Sequence, residues 1–132
     1  MLIPTATPKT PAASTADTLA TLAATIHARR TAKSDASYTR QLLDKGHAHC
    51  ARKFGEEAVE AIVAALGTSK DDLTNEAADV LYHLLVLLES RDVALSDVLA
   101  TLQKRMASSG IAEKAARTQP PTAPRQTTPD KP

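Results

Sequence analysis

The middle of the sequence lacks the residues that most often interrupt helices. All eight prolines lie before Ala12 or after Gln119, and only four glycines occur in the 132 residues. Proline removes a helical hydrogen bond, so a long segment without it favours helices. Tryptophan is absent, and the aromatic side chains are limited to Tyr38, Phe54 and Tyr82. Because strands are enriched in aromatic residues, we predict an all-α fold, a bundle of four to five helices.

Cysteine and net charge are also scarce. Cys50 is the single cysteine, so no intramolecular disulfide is available, and we interpret it as a packed small residue rather than a nucleophile. The net charge of +1 argues against a nucleic-acid partner. No secretory signal is recognised, so a cytoplasmic location is expected. The longest apolar segment contains Glu76, Asp79 and His83, which argues against a membrane span.

The two ends of the chain differ in composition from its middle. Residues 1–16 and 118–132 are rich in threonine, proline and alanine. Such segments offer little apolar surface to offset the entropy of ordering, so we predict disordered tails. The intervening residues 17–117 are predicted to form one domain.

Apolar periodicity and capping residues predict where the helices lie. Ser37 is a candidate N-cap of the second helix and Gly46 its stop, whereas Ser69 or Asp71 would cap the fourth. Gly67 is expected to end the third helix in a left-handed conformation. The predicted helices run over about Asp17–Arg30, Tyr38–Asp44, His47–Leu66, Lys70–Glu89, and from near Ser96 to Gly110.

The predicted third helix carries an acidic arc. At about 100° per residue, Glu56, Glu57 and Glu60 project in similar directions. His49 and Lys53 lie on the same arc, so cationic groups precede the acids by one turn. The alternative is an ordinary solvated face on which Lys53 pairs with Glu57 at i,i+4 spacing.

The predicted fourth helix carries a second, narrower polar seam. Asp72, Glu76, Asp79 and His83 recur at i, i+4, i+7 and i+11 along a helix whose other faces are nearly all apolar. This pattern predicts a helix buried on most sides, whose acids face another helix. An exposed polar stripe on an otherwise packed helix is the alternative.

The short connection at residues 67–70 predicts that the two helices pair antiparallel. Their seams would then bring Glu57, Glu60, Glu76 and Asp79 together. Carboxylates about 4 Å apart repel by roughly 4 kcal/mol at an effective dielectric of 20, so four of them need a compensating charge. All-oxygen ligands suit Mg²⁺ or Mn²⁺. The Glu-x-x-His pairs of di-iron bundles and the histidine or cysteine spacing of zinc sites are missing.

The segment Lys53–Glu60, followed by Glu76–Asp79, resembles the Glu-Glu-x-x-Glu and Glu-x-x-Asp signature of the all-α, MazG-like nucleotide pyrophosphohydrolases. Within that group the chain is similar to the phosphoribosyl-ATP pyrophosphatases of histidine biosynthesis. Residues 33–36 depart from the Asp-Pro-containing approach to Ser-Tyr-Thr that is usual in that family. The resemblance spans about residues 19–117 and includes the further stretches Ser37–Thr39, Asp79–Leu88 and Glu113–Arg117.

This resemblance implies hydrolysis of the nucleotide phosphoribosyl-ATP to phosphoribosyl-AMP and pyrophosphate, with Mg²⁺ and usually as a homodimer. By hypothesis the metal ligands are Glu57, Glu60, Glu76 and Asp79. Glu56 is the candidate catalytic residue that orients or deprotonates the attacking water. The candidate substrate-binding residues are Arg52, Lys53, His83, Lys114 and Arg117, of which the last two would close over the phosphates.

Two other functions remain open from the sequence. The first is a housekeeping pyrophosphohydrolase of noncanonical nucleoside triphosphates, with the same metal site and different base recognition. The second is a noncatalytic helical dimerisation module in which the acids decorate the surface. Stabilisation by Mg²⁺ would distinguish a real carboxylate cluster from such a module.

Overall fold

The computed structural model describes residues 15–33, 37–108, 114 and 117–118. These residues contain no strand, so the predicted all-α class is confirmed. The chain divides into two compact units, Met1–Asp97 and Val98–Pro132. Apart from Thr15, Ala16 and Thr118, the predicted tails lie outside the described residues, as do residues 34–36 and the predicted stop at Gly110. Thr15 and Ala16 belong to α1, so this helix begins two residues before the predicted end of the N-terminal tail. The helices are α1 (Thr15–Arg29), α2 (Tyr38–Asp44), α3 (His47–Leu66), α4 (Lys70–Ser90) and α5 (Leu95–Ala107).

Two serine caps fix the starts of α2 and α4, as the sequence predicts. The Ser37 side chain accepts a hydrogen bond from the Arg40 backbone N–H at 3.2 Å. The Ser69 side chain accepts one from the Asp72 backbone N–H at 3.1 Å. Each cap satisfies a donor that the helix itself leaves without a partner.

Of the two glycines that separate helices, Gly46 follows the end of α2 as predicted, whereas Gly67 differs from the prediction in conformation. Gly67 has φ −81° and ψ −169°, so the left-handed conformation predicted for it is wrong, and the chain leaves α3 in extended form. Gly46 has φ +91° and is the N-cap of α3, whereas Lys45 is the C-cap of α2. Only two residues separate α2 from α3, so the turn needs one residue that tolerates a positive φ.

The hydrophobic core lies where α1 and α2 meet the α3–α4 pair. Its buried side chains come from α1, α2, α3 and α4 and are Ile26, Leu42, Cys50, Leu85 and Val86. The Cys50 thiol donates a hydrogen bond to the Leu42 backbone oxygen at 3.3 Å, which supports its interpretation as a packed residue.

The first half of α4 is more exposed than predicted. Leu73 and Leu81 are 38% and 44% exposed, so the prediction of a helix buried on most sides is wrong for this half. The buried residues of α4 are instead His83, Leu85 and Val86, in its second half. The physical reason is that α1 and α2 are available to cover only part of a hairpin built from two helices of about twenty residues.

The face of α3 that points away from the core is also apolar. Val59, Ile62, Val63 and Leu66 follow the i, i+3, i+4, i+7 spacing of one helical face and are between 58% and 84% exposed. We call these four residues the α3 apolar face.

The end of α1 is joined to the end of α4 by ion pairs. Arg30 Nε lies 3.0 Å from Glu89 Oε1, and Arg30 Nη1 lies 2.8 Å from Asp92 Oδ1. His27 Nδ1 lies 2.8 Å from the same Glu89 oxygen. Among the described helices, none is long and apolar enough to cross a membrane.

Candidate metal and catalytic site

The acidic seams of α3 and α4 meet within the first unit. Glu57, Glu76 and Asp79 each offer a carboxylate oxygen, and these three oxygens lie within 4.8 Å of one another. Glu57 and Glu76 are half-buried, whereas Asp79 is exposed. The hairpin between α3 and α4 therefore brings together three of the four predicted metal ligands.

Glu60 acts on both half-buried glutamates. Burial is the main cause that raises the pKa of Glu57, followed by the charge and hydrogen bonding of Glu60 and then by Asp79. The pKa of Glu76 is raised first by burial, then by Glu60, by Asp79 and by Asp72. The negative side chains thus repel one another strongly enough to favour uptake of protons or of a cation. Asp72 belongs to this group although it is not among the predicted ligands, and its place on the same seam is the signal that could have found it.

The chemistry of the donor set fits a divalent cation. The Glu76 Oε2 atom is buried and has no hydrogen-bond partner among the described residues. A buried carboxylate oxygen without a partner is costly, and a cation would satisfy it. Adjacent oxygens around an octahedral Mg²⁺ are about 3 Å apart and opposite ones about 4.2 Å apart, so the three carboxylates would have to close in on a bound ion.

Glu56 is paired with cationic side chains of its own helix. Lys53 Nζ donates a hydrogen bond to Glu56 Oε2 at 3.0 Å, and Arg52 Nε lies 3.9 Å from Glu56 Oε1. The hydrogen bond and charge of Lys53 lower the pKa of Glu56. Lys53 therefore pairs at i,i+3 with Glu56, and the i,i+4 pair with Glu57 considered from the sequence is wrong. Arg52 Nη2 also lies 3.1 Å from His49 Nδ1, which extends the cationic surface toward the start of α3.

His83 lies behind the cluster rather than on its open side. Its side chain is 7% exposed, and its Nε2 atom lies 3.8 Å from Glu57 Oε1. Burial is the main cause that lowers the pKa of His83, so the ring is neutral at physiological pH. The His83 ring contacts two tyrosine rings in T-shaped geometry. The centroid distance is 5.1 Å to the Tyr82 ring and 6.5 Å to the Tyr38 ring.

The remaining predicted phosphate contacts lie in the second unit. Lys114 and Arg117 are exposed, and Arg117 lines a cleft together with Lys104 and Arg105. Residues 109–113 and 115–116 lie outside the described residues, so the closure of this segment over phosphates stays a prediction.

Comparisons with known proteins agree with the carboxylate signature. A family model described as phosphoribosyl-ATP pyrophosphohydrolase matches residues 19–106. A phosphoribosyl-ATP pyrophosphatase of Dinoroseobacter shibae is 61% identical over 99 residues, which cover 75% of this chain and 97% of that protein. Proteins of the same name from Rhodobacter capsulatus (58% identical, 75% of this chain and 96% of that protein) and Ruegeria pomeroyi (60%, 73% and 91%) are similarly related. The chain therefore belongs to the phosphoribosyl-ATP pyrophosphohydrolase family.

Proposed function

We propose that this chain hydrolyses phosphoribosyl-ATP to phosphoribosyl-AMP and pyrophosphate in histidine biosynthesis, using Mg²⁺ or Mn²⁺ held by Glu57, Glu60, Glu76 and Asp79. Family membership supports the reaction and makes the chain a hydrolase that acts on a phosphoric anhydride. The observation that carries the metal assignment is the meeting of three carboxylates within 4.8 Å, one of which has a buried oxygen without a partner.

The bound cation and Glu56 have different roles in the proposed hydrolysis. A bound divalent cation supplies neutralisation of charge on the polyphosphate and lowers the pKa of a coordinated water molecule. Glu56 accepts a hydrogen bond from the attacking water and orients it. The pKa of Glu56 is lowered, mainly by Lys53, and an exposed glutamate is ionised at neutral pH even when Lys53 turns to a phosphate, so the carboxylate is able to accept.

The cationic side chains next to the cluster contact phosphate oxygens. Lys53 and Arg52 lie one turn before the metal ligands on α3, and exchanging a Glu56 contact for a phosphate contact requires only a change of side-chain rotamer. Lys114 and Arg117 add further phosphate contacts. His83 helps to position the Glu57 carboxylate, because its Nε2 atom lies 3.8 Å from Glu57 Oε1.

Pyrophosphate release from phosphoribosyl-ATP tests this function directly. We expect wild-type protein to require Mg²⁺ or Mn²⁺, and we expect Glu76→Gln to lose at least about a hundredfold in kcat, the scale of losing one electrostatic stabiliser. Asp71→Asn, which removes an exposed acid at the start of the same helix, is the matched control and should retain activity. Full metal-dependent activity in Glu76→Gln would refute the metal site. A strong preference for simple deoxynucleoside triphosphates would favour the housekeeping function instead.

A homodimer also belongs to this proposal. The α3 apolar face lies beside the acidic cluster, and the adjacent cleft of about 320 Å³ is lined by Val59 and Val63 together with Glu60, Asp72 and Glu76. An exposed apolar surface next to a site is typical of a surface that a second copy covers. Light scattering should show a dimer that Val63→Glu dissociates and that Ala24→Glu, at an exposed position of α1, leaves intact. A monomeric wild-type protein would contradict the homodimer.

The cytoplasm is the proposed location, since the chain belongs to a family of biosynthetic enzymes and its single thiol is buried and unpaired. The domain is proposed to span residues 17–117, flanked by disordered tails at 1–16 and 118–132.

A further inference from the structure

The proposed substrate carries a purine base as well as phosphates, and the chain offers few side chains that can recognise an aromatic base. Only three aromatic residues occur in the sequence. Phe54 is half-buried, and the hydroxyl of Tyr82 is engaged with Thr39 Oγ1 at 2.6 Å. Tyr38 is 55% exposed, which makes it the one aromatic side chain with most of its surface open to a ligand.

Tyr38 lies next to the groups proposed to bind the polyphosphate. Its ring meets the His83 ring edge-on, with the centroids 6.5 Å apart and the planes at 87°. His83 Nε2 in turn lies 3.8 Å from the Glu57 carboxylate. Tyr38 is also among the groups whose charge acts on Lys53. The phenol ring of Tyr38 and the Glu57 carboxylate of the cluster therefore both lie beside the same histidine.

The backbone that carries Tyr38 is held in place from both sides. Tyr38 is the first residue of α2, and the preceding Ser37 is 6% exposed and caps that helix through the Arg40 N–H. The following Thr39 is tied to Tyr82 of α4 by the 2.6 Å hydrogen bond. A single edge-on contact with His83 covers at most one face of the Tyr38 ring, and the residue is 55% exposed. A ring that is fixed before binding loses little conformational entropy when a base stacks on it.

We propose that the ring of Tyr38 stacks on the purine base of the nucleotide whose polyphosphate the carboxylate cluster holds. This assignment rests on the proposed function and adds a residue that recognises the base. The base does not change during hydrolysis of the phosphate anhydride. Stacking therefore stabilises the bound substrate and the transition state equally, so it acts on KM and not on kcat.

Steady-state kinetics with phosphoribosyl-ATP and Mg²⁺ test whether Tyr38 affects KM and leaves kcat unchanged. Loss of a stacked base costs roughly five- to a hundredfold in binding, so we expect Tyr38→Ala and Tyr38→Leu to raise KM by that factor. We expect kcat to stay within about twofold of the wild-type value. Tyr38→Phe should restore most of the lost affinity, because the ring and not the hydroxyl makes the contact. A fall in kcat at unchanged KM in Tyr38→Ala, or a Tyr38→Phe variant as impaired as Tyr38→Ala, would overturn the proposal.

Intrinsic fluorescence gives an independent readout, because the chain contains no tryptophan and only two tyrosines. The difference in tyrosine emission between wild type and Tyr38→Phe is the emission of Tyr38, and both proteins keep the hydrogen bond between Thr39 and Tyr82. We expect α,β-methylene-ATP with Mg²⁺ to quench this emission and inorganic tripolyphosphate, which has no base, to leave it unchanged. Calorimetric binding of the ATP analogue without quenching would overturn the stacking.

The two proposals fail in different ways. If wild-type protein releases no pyrophosphate from phosphoribosyl-ATP, the proposed function fails. If wild-type protein is active and the KM of Tyr38→Ala equals the wild-type value, only the role of Tyr38 fails.

Discussion

Replacement of Glu57 by glutamine removes one charge from the cluster, and its effect can be worked out for the metal-free protein. The carboxylate oxygens of Glu57, Glu76 and Asp79 lie within 4.8 Å of one another. Two unit charges at that distance repel by about 3.5 kcal/mol at an effective dielectric of 20 and by about 1 kcal/mol in bulk water. Asp79 is exposed and water screens its charge, so we expect relief of the Glu57–Asp79 repulsion to stabilise the metal-free variant by about 1 kcal/mol.

Thermal unfolding in EDTA and in Mg²⁺ measures this effect. In EDTA, Glu57→Gln should melt about 4 °C above wild type, as a change of about 1 kcal/mol does in a domain of this size. With Mg²⁺ at a hundredfold excess over its Kd, wild type should gain about 2.7 kcal/mol, and the variant should gain clearly less. Asp71→Asn serves as the control and should keep the full gain from Mg²⁺. Equal gains in wild type and Glu57→Gln, or a variant that melts below wild type in EDTA, would refute the reasoning.

The difference in stability between Glu57→Gln and wild type in EDTA should depend on pH in one direction. Burial, Glu60 and Asp79 hold the pKa of Glu57 above its ordinary value of 4.5 in the folded chain. A raised folded-state pKa means that the native metal-free protein binds the proton more readily than the unfolded chain, so wild type gains stability as pH falls through that pKa. The advantage of Glu57→Gln in EDTA should therefore be largest near neutral pH and shrink toward pH 4.5. An advantage that does not change over this range would contradict the assignment of repulsion to Glu57.

Three further predictions concern the scaffold. Ile26 is 1% exposed in the core, so Ile26→Ala should lower the free energy of unfolding in urea by roughly 2–5 kcal/mol, and a loss below about 1 kcal/mol would show that the core is not packed as described. Burial raises the pKa of the Cys50 thiol, so a thiol reagent should modify native protein far more slowly than protein in urea, and equal rates would contradict its burial. Ser69→Ala should lower the stability by about 0.5–2 kcal/mol through loss of the α4 cap, whereas Ser69→Asp should retain it, and equal loss in both variants would speak against capping.

The sequence predicts the helices well where the signals are local. Ser37 and Ser69 cap α2 and α4 because a short polar side chain before an apolar run satisfies a backbone N–H wherever the rest of the chain lies. The extended conformation of Gly67 could not be predicted with the same success. Glycine tolerates both left-handed and extended conformations, and the packing of the hairpin selects between them.

Burial and side-chain pairing depend on the whole fold. The apolar pattern of α4 predicts a helix covered on most sides, but a pattern cannot tell whether the cover comes from the same chain, and Leu73 and Leu81 remain partly exposed. Lys53 has an acid at both i+3 and i+4, and the two spacings bring side chains equally close on a helix. The carboxylate cluster could be predicted because the connection between α3 and α4 is short. The position of Tyr38 could not, because it depends on how three helices meet at His83.

The positive φ of Gly46 has a consequence for the geometry of this site. A Cβ atom at Gly46 would meet nothing within 4 Å, so space does not forbid a larger residue there, but every L side chain at φ +91° is strained. Relief of that strain would change the turn at Lys45 and Gly46, and with it the angle at which α2 meets α3. A residue without a side chain, in a turn of two residues, thus helps to set how α2 and its first residue, Tyr38, are placed against α3.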